Sequence, residues 1–405
     1  MIEKLISKLK SKNFSVCIIG LGYVGLPLLS RFLKANIKVY GLDIDKSKIN
    51  LLRNGIPYIQ FLDKNISKYF KKNKFNLSSN YKIIKKSDVV IICLPTPLKK
   101  NSKTPDMKYV FNCAKNIKKN IKENQIIILE STVYPGATKE FAKIIINKRL
   151  KIGKNIFLGY SPERENPGDK KFSYNTTPKV ISGYTSNCLL LIKIIYSFFV
   201  KKLVLTKKIE EAELSKLLEN LYRAVNIGLV NELKIVCKRL NIDIINTINI
   251  AATKNFGFQK FLPGPGLGGH CIPIDPFYLS WISKKNGYNP KFINLAGIIN
   301  SKIPDWTIKQ VLKKIKKNKN LNILLLGLSY KKNIEDDRES PTYEFMKILN
   351  KKKINYDYSD PYFTKIRKGR QTSENKKSIV INKNNLTKYD ATILLTDHDS
   401  FNYNM

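Results

Sequence analysis

Cys271 is the residue best placed to do covalent chemistry. It stands in GPGLGGHCIPIDP, directly after Gly268, Gly269 and His270 and four residues before Asp275. Glycines remove side-chain bulk around the thiol, so a substrate can approach closely. A thiol in such a loop is ready for nucleophilic attack once a base or cation lowers its pKa. His270 reads as a structural or substrate-contacting residue, because adjacent side chains rarely point at each other. The other cysteines, Cys17, Cys93, Cys113, Cys188 and Cys237, lie in apolar surroundings such as VCIIG and VIICLP and read as buried, inert thiols. None has CxxC spacing, and with two histidines in the chain no metal site is expected. The absence of a GxSxG elbow weighs against a serine hydrolase.

Two further constellations accompany the thiol. Gly20, Gly22 and Gly25 form GxGxxG between an apolar run and a helical one. The first glycine permits the turn, the second lets backbone approach a pyrophosphate, and the third packs helix on strand. Asp43 ends the next strand-like run, where a carboxylate accepts from ribose hydroxyls and repels a 2′-phosphate. That pattern points to NAD as the cofactor, not NADP. Lys216 and Asn220 are spaced i, i+4 and share one helical face; the competing, purely structural reading pairs Lys216 with Glu213 on the surface.

The elements that must carry these residues follow from periodicity. SVCIIG, IKVYGLDID, SDVVIICLPTP, NQIIILESTVYPG, NIFLGYSPER and PKVISGY read as strands separated by helical stretches. Such alternation implies a mostly parallel sheet covered on both faces. Residues 209–240 contain no proline and repeat Leu and Val at three- and four-residue steps, which predicts one long helix, a connector and dimer-forming spine. From about residue 319, LNILLLGLSYK, SPTYEFMKILNKKK, INYDYSDPY and DATILLTDH restart the strand and helix logic. The fold class is therefore α/β, two Rossmann-like doubly wound domains joined by a long central helix. The expected domains are 1–202 for the cofactor, 203–310 for the helical segment with the cysteine, and 311–405. No internal sequence repeat is found.

Composition excludes more than it identifies. A formal charge of +42, from 73 Lys+Arg against 31 Asp+Glu, raises the question of nucleic-acid binding. The basic residues are mostly Lys spread along the whole chain, without the clustered footprint that a nucleic-acid partner requires. A positive field can still steer an anionic nucleotide to its cleft. The basic start before VCIIGLGYVG resembles a signal peptide, but its glycine spacing argues for strand, turn and helix. No apolar run reaches membrane-spanning length, so a cytoplasmic protein with no membrane partner is expected.

GLGYVG, SPERENPG, ELSKLLENLYRAVN, GLGGHCIPIDP and DDRESP, in that order, make the chain similar to the UDP-glucose/GDP-mannose dehydrogenase family over nearly its whole length. The resemblance implies an NAD-binding Rossmann domain, a helix-built homodimer and a C-terminal nucleotide-sugar domain. It also implies a four-electron oxidation of a sugar hydroxymethyl through a Cys271 thiohemiacetal and thioester. In that scheme Lys216 and Asn220 stabilise the oxyanion, Asp275 and Thr132 hold a water, and Glu163 assists thioester hydrolysis. Tyr23, Val24, Lys48, Thr96, Ser131 and Thr132 match NAD contacts beside the three glycines and Asp43, and Arg338 matches one that reaches across to NAD. Glu163, Arg164, Lys216, Asn220, Phe261, Pro263, Gly264, Gly268 and Lys331 match nucleotide-sugar contacts, while Asp336 and Asp337 read as partners of Arg338. SPERENPG, FGFQKFLPGPGLGGHCIPIDPFYL and KKNIEDDRESP are most similar to the UDP-N-acetylglucosamine 6-dehydrogenase branch, whose product feeds surface polysaccharide. UDP-N-acetylgalactosamine and UDP-glucose stay open as substrates. A non-catalytic NAD- and nucleotide-binding regulator is the competing reading, opposed by the retained Lys216, Asn220, Cys271 and Asp275. Family members continue past DHDSFNYNM with a further strand and helix, so the resemblance implies a C-terminal domain without its last elements.

Overall fold

The apolar runs of the first half build one eight-stranded sheet, in the order β3-β2-β1-β4-β5-β6-β7-β8. Its strands are β1 (Ser15–Ile19), β2 (Lys38–Leu42), β3 (Phe75–Ser78), β4 (Val89–Ile92), β5 (Ile126–Leu129), β6 (Phe157–Tyr160), β7 (Lys179–Gly183) and β8 (Leu203–Leu205). This architecture comes from a computed structural model that describes residues 1–56, 58–59, 75–100, 102–164, 176–269, 272–316, 320–366 and 375–404. Cys271 and His270 lie outside the described residues. The chain divides into two compact units, Met1–Leu218 and Glu219–Met405.

In the first unit every strand pairing from β3 to β6 is parallel. β1, β4, β5 and β6 are buried along their whole length, as expected of strands covered by helices on both faces. The direction then reverses: β7 runs antiparallel to β6, and β8 follows β7 in parallel. Among the described residues its helices are α1 (Ile2–Lys10), α2 (Gly25–Lys34), α3 (Lys46–Arg53), α4 (Lys108–Asn120), α5 (Ala137–Ile145) and α6 (Ser186–Ser197). The basic start of the chain is α1, which buries Leu9 in the same core as Val16, Phe32 and Ile91. Consecutive strands swap sides between β1 and β4, and open α/β sheets bind ligands at such a switch point.

The long helix is α7 (Ile209–Leu240), with the bounds that its periodicity predicts. Its Glu213 corrects the surface-pair reading. The side chain is fully buried and accepts from the Gly136 and Thr138 amides at 2.6 and 2.8 Å and from the Thr138 hydroxyl at 2.6 Å. Helix α5 has no side-chain cap of its own after Gly136, whose φ is +95°. Glu213 therefore caps it from a distance in sequence, satisfying amides that would otherwise be orphaned.

The second unit contains α8 (Ile244–Ala251), α9 (Asp275–Lys285), α10 (Lys291–Lys314), α11 (Pro341–Lys351) and α12 (Lys383–Leu386). Its parallel sheet has the order β10-β9-β11, from β9 (Asn322–Leu326), β10 (Asn355–Ser359) and β11 (Ala391–Leu394). The turn after β9 repeats the turn after β1, and the two share the short pattern Gly-Leu-x-Tyr, GLGY at 20–23 and GLSY at 327–330. Gly20 (φ +90°) donates to the Leu42 carbonyl at 2.8 Å, and Gly327 (φ +96°) donates to the Ser359 carbonyl at 2.8 Å. Asp43 accepts from the Leu21 amide at 2.9 Å, and Asp360 accepts from the Leu328 amide at 2.6 Å. No helix among the described residues is long and apolar enough to cross a membrane.

Candidate active site

The glycine turn leads from β1 into α2. A Cβ on Gly20 would stand 2.5 Å from the Cys93 carbonyl oxygen, and one on Gly25 would stand 1.9 Å from the Gly20 oxygen. Both positions are closed to any side chain by the protein itself. Gly22 differs, because a Cβ there would meet nothing within 4 Å. Its bareness serves no packing need, and it keeps a surface on which a ligand can lie against backbone. Val24 is the N-cap of α2 and gives no side-chain cap; the Leu26 amide donates to the Gly22 carbonyl at 3.1 Å and Pro27 has no amide to offer, which leaves the backbone around Gly22 and Gly25 to meet an anion. Asp43 is buried at the end of β2, where its other oxygen accepts from the Asp45 amide at 2.9 Å. Lys48 brings its ammonium to 3.9 Å from that carboxylate. Tyr23 packs against the core of this unit. Ser131, after β5, accepts from the Leu94 amide at 2.9 Å and so ties together the ends of two strands. Thr96 is buried, whereas Thr132 is half-buried and has no hydrogen-bond partner among the described residues. These residues fit a dinucleotide.

Glu163 and Arg164 follow β6. The Glu163 carboxylate accepts from the Arg164 amide at 2.6 Å, and the Arg164 guanidinium donates to the Pro178 carbonyl at 2.6 Å. Lys216, one turn before Asn220 on α7, is half-buried and has no partner among the described residues.

In the second unit, Asn220 is fully buried and occupied on both sides. Its amide donates to Asp275, and its carbonyl oxygen accepts from Arg223. Asp275 opens α9, followed at once by Pro276, whose fixed φ suits the first helical turn. The glycines before the thiol have a reason that spacing did not reveal. A Cβ on Gly268 would lie 2.9 Å from Pro341 and from Tyr330, and one on Gly269 (φ +85°) would lie 2.7 Å from the Tyr330 ring. The Gly269 amide donates to the Arg338 carbonyl at 3.1 Å. The loop thus packs against its own chain, on the segment that carries Lys331. Arg338 itself grips Asp336 through Nε and Nη2 at 2.8 and 2.6 Å, the expected pairing, while Asp337 accepts the Tyr343 hydroxyl at 2.5 Å.

Asn231 and Asn300 were not singled out by motif, yet they hold the FLPGPG stretch. Asn231 accepts from the Gly264 amide at 2.9 Å and donates to Asn300 at 2.9 Å. Asn300 in turn donates to the Ala224 carbonyl at 3.0 Å. Phe261, two residues before Pro263, sets its ring edge-on to Tyr222, 5.9 Å between centroids. The available signal was a polar residue on the core-facing stripe of a helix, and Asn220 and Asn231 both stand there. The remaining cysteines, Cys17, Cys93, Cys113, Cys188 and Cys237, are all buried as expected.

Three family profiles together cover most of the chain. They are the NAD-binding domain (14–200), the central domain (210–302) and the UDP-binding domain (324–405) of one family. The chain belongs to the UDP-glucose/GDP-mannose dehydrogenase family. It is an NAD-dependent nucleotide-sugar dehydrogenase. A UDP-N-acetyl-D-glucosamine 6-dehydrogenase of Pseudomonas aeruginosa is 34% identical over 358 residues, 87% of this chain and 83% of that one. A UDP-N-acetyl-D-mannosamine dehydrogenase of Methanococcus vannielii is 32% identical over 402 residues, 97% and 88% of the two chains. Among solved structures, a UDP-D-ManNAc dehydrogenase of Pyrococcus horikoshii superposes with a TM-score of 0.86 at 28% identity, covering 96% of the dehydrogenase and 91% of that chain.

Proposed function

We propose that this dehydrogenase converts the 6-hydroxymethyl of UDP-N-acetyl-D-glucosamine to a carboxylate in a four-electron oxidation, as a cytoplasmic homodimer supplying surface polysaccharide synthesis. The observation that carries the covalent part is the buried Asn220–Asp275 contact, which ties the long helix to the residue four past Cys271. Bound NAD supplies the hydride acceptor for both oxidations, with Gly20, Gly22, Val24, Gly25, Asp43, Lys48, Thr96, Ser131 and Thr132 as its contacts and Arg338 reaching across to it. Cys271 attacks the aldehyde carbon to give a thiohemiacetal, and the resulting thioester is hydrolysed by water. Lys216 and the second amide hydrogen of Asn220 donate to the oxygen that gathers charge. Asp275 and Thr132 hold the water, and Glu163 takes its proton. Lys331, Arg164 and the Phe261–Gly264 stretch contact the nucleotide sugar.

UDP-N-acetyl-D-mannosamine is the second reading, because relatives of both names match at nearly equal identity. Parallel assays with UDP-N-acetylglucosamine, UDP-N-acetylmannosamine, UDP-N-acetylgalactosamine and UDP-glucose separate them. The expected result is fastest turnover on the first, with two NADH per sugar and no free aldehyde. Faster turnover on any other sugar overturns the substrate assignment, and one NADH per sugar overturns the double oxidation. Cys271→Ala should form no uronic acid, and full activity in that variant would sink the covalent mechanism.

A further inference from the structure

A buried ionic cluster lies at the C-terminal ends of β4, β5 and β6. Lys179, 3% exposed at the start of β7, holds its ammonium 3.3 Å from Glu130 and 3.7 Å from Glu163. Glu130 directly follows β5, is fully enclosed, and accepts from the Tyr196 hydroxyl of α6. The Tyr196 ring centroid lies 5.1 Å from the same ammonium. Lys179 also comes within 3.5 Å of the Pro162 carbonyl oxygen.

Strand direction puts the lysine there. β6 and β7 pair Gly159 with Gly183 and Tyr160 with Ser182 in antiparallel register. Carrying that register on by three residues sets Glu163 opposite Lys179. A parallel β7 would deliver its first residue to the other end of the sheet. An unpaired buried ammonium is strongly destabilising, and one ionised carboxylate suffices to neutralise it. Glu130 is the nearer of the two. The second carboxylate, Glu163, keeps 15% of its side chain exposed and therefore has contact with solvent that Glu130 lacks.

We propose that Lys179 is a positioning residue for Glu163, anchored by Glu130, that fixes the Glu163 carboxylate and keeps it ionised to act as base in thioester hydrolysis. The proposal rests on the reading of Glu163 given above. In that step Glu163 takes a proton from water while the water oxygen bonds to the thioester carbonyl carbon. The C–S bond then breaks, its electron pair returns to the Cys271 sulfur, and the product acid loses its own proton to solvent.

The groups facing Glu163 have opposed effects. Lys179 stabilises its charge. Glu130, whose own pKa burial pushes up to about 7 against the pull of Lys179, disfavours negative charge nearby when ionised, whereas the Cys93 thiol after β4, raised by burial and by Glu130, stays protonated and uncharged. Tyr196 is held protonated by burial and by Glu130. Lys179 stays charged, because Glu130 and Glu163 outweigh the burial that works against it.

Three variants of the purified full-length enzyme test this with UDP-N-acetylglucosamine, or whichever UDP-sugar it turns over fastest. Lys179→Met with Glu130→Gln removes both buried charges together, which keeps the interior neutral and the fold intact. That double variant should show a rapid burst of two NADH per active site and then steady turnover slower by about a hundredfold, as expected when general-base catalysis is lost. The acid limb of its kcat profile should move up by about one pH unit, while KM changes little. Glu130→Gln alone leaves Lys179 facing Glu163 and should move that limb down. Opposite displacements from one cluster are not expected of a merely structural role. Glu163→Gln should reproduce the burst at every pH. If Glu163→Gln shows the burst but the double variant keeps wild-type turnover and pH profile, the positioning role is overturned and the base reading stands. If Glu163→Gln turns over normally, the base reading fails and the positioning role fails with it.

Discussion

Glu213 shows burial prevailing over hydrogen bonds that favour charge on one side chain. Burial raises its pKa from 4.5 to about 7, although its hydrogen bonds from Thr138 and Gly136 favour the charged form. A carboxyl whose folded pKa is raised binds its proton more tightly in the native state. Its contribution to stability is full below about pH 4.5 and is lost as pH rises through about 7. Glu213→Gln carries no such titration, so its Tm relative to wild type should rise between about pH 5 and about pH 8. A constant difference across that range would show that the native carboxyl titrates normally. Lys216 and Asn220 were legible in the sequence because i, i+4 spacing on a helix is local. The role of Glu213, on the same helix, was not legible because its partners are 75 and 77 residues away. Nothing in the spacing of ELSK distinguishes a distant cap from a surface ion pair.

At the scale of elements, the long helix is an anchor for loops as well as a connector. Gly228 of α7 lets α10 come close, since a Cβ there would stand 3.2 Å from Asn300. That approach allows Asn231 and Asn300 to form one buried pair and to hold the Gly264 amide. Asn231→Leu keeps the volume but leaves Gly264 and Asn300 without their partner, at a cost of roughly 1–3 kcal/mol. We expect KM for the UDP-sugar to rise by about tenfold, as loss of a binding term of that size implies, with kcat changed far less. An unchanged KM would detach this pair from substrate binding. The helix bounds and the order of the main strands were legible because long periodic segments announce themselves. The reversal of β7 was not, since KVISG reads the same whichever way the strand runs. Lys179 went unnoticed for the same reason, being one lysine among many until direction gave it a neighbourhood.

At the scale of the whole molecule, α7 leaves Leu229, Leu233, Val236 and Leu240 well exposed, at alternating steps of four, three and four residues. A stripe with that spacing suits packing against a second helix. The proposed homodimer would bury it, with a second copy of the chain as the occupant. Leu233→Glu combined with Val236→Glu should convert a dimer to a monomer in light scattering, and an unchanged mass would move the interface elsewhere. The net charge of +42, read as background composition, agrees with a family whose substrates are anionic nucleotides. Domain-scale logic was visible because the second half restarts the same strand and helix pattern. The repeated turn itself shows in sequence only as a short Gly-Leu-x-Tyr after each apolar strand, GLGY at 20–23 and GLSY at 327–330, because the partners Asp43 and Asp360 lie a strand away.

That repeated turn differs in one respect between the two halves. Asp360 accepts from the Leu328, Ser329, Tyr362 and Phe363 amides, and His398, fully buried, faces the same carboxylate at 3.2 Å. The Asn333 amide donates to His398 Nδ1, which leaves the ring proton on the nitrogen that faces Asp360. Its oxygens are saturated, so the second turn has no acceptor left for a ribose, whereas Asp43 keeps capacity. Of the two described turns only the first then suits a dinucleotide, although the proposed reaction consumes two. The half-oxidised sugar must wait in place while one cofactor departs and the next arrives. Release of the sugar has to be the slower of the two departures, and a covalent tether to sulfur is one way to make it so.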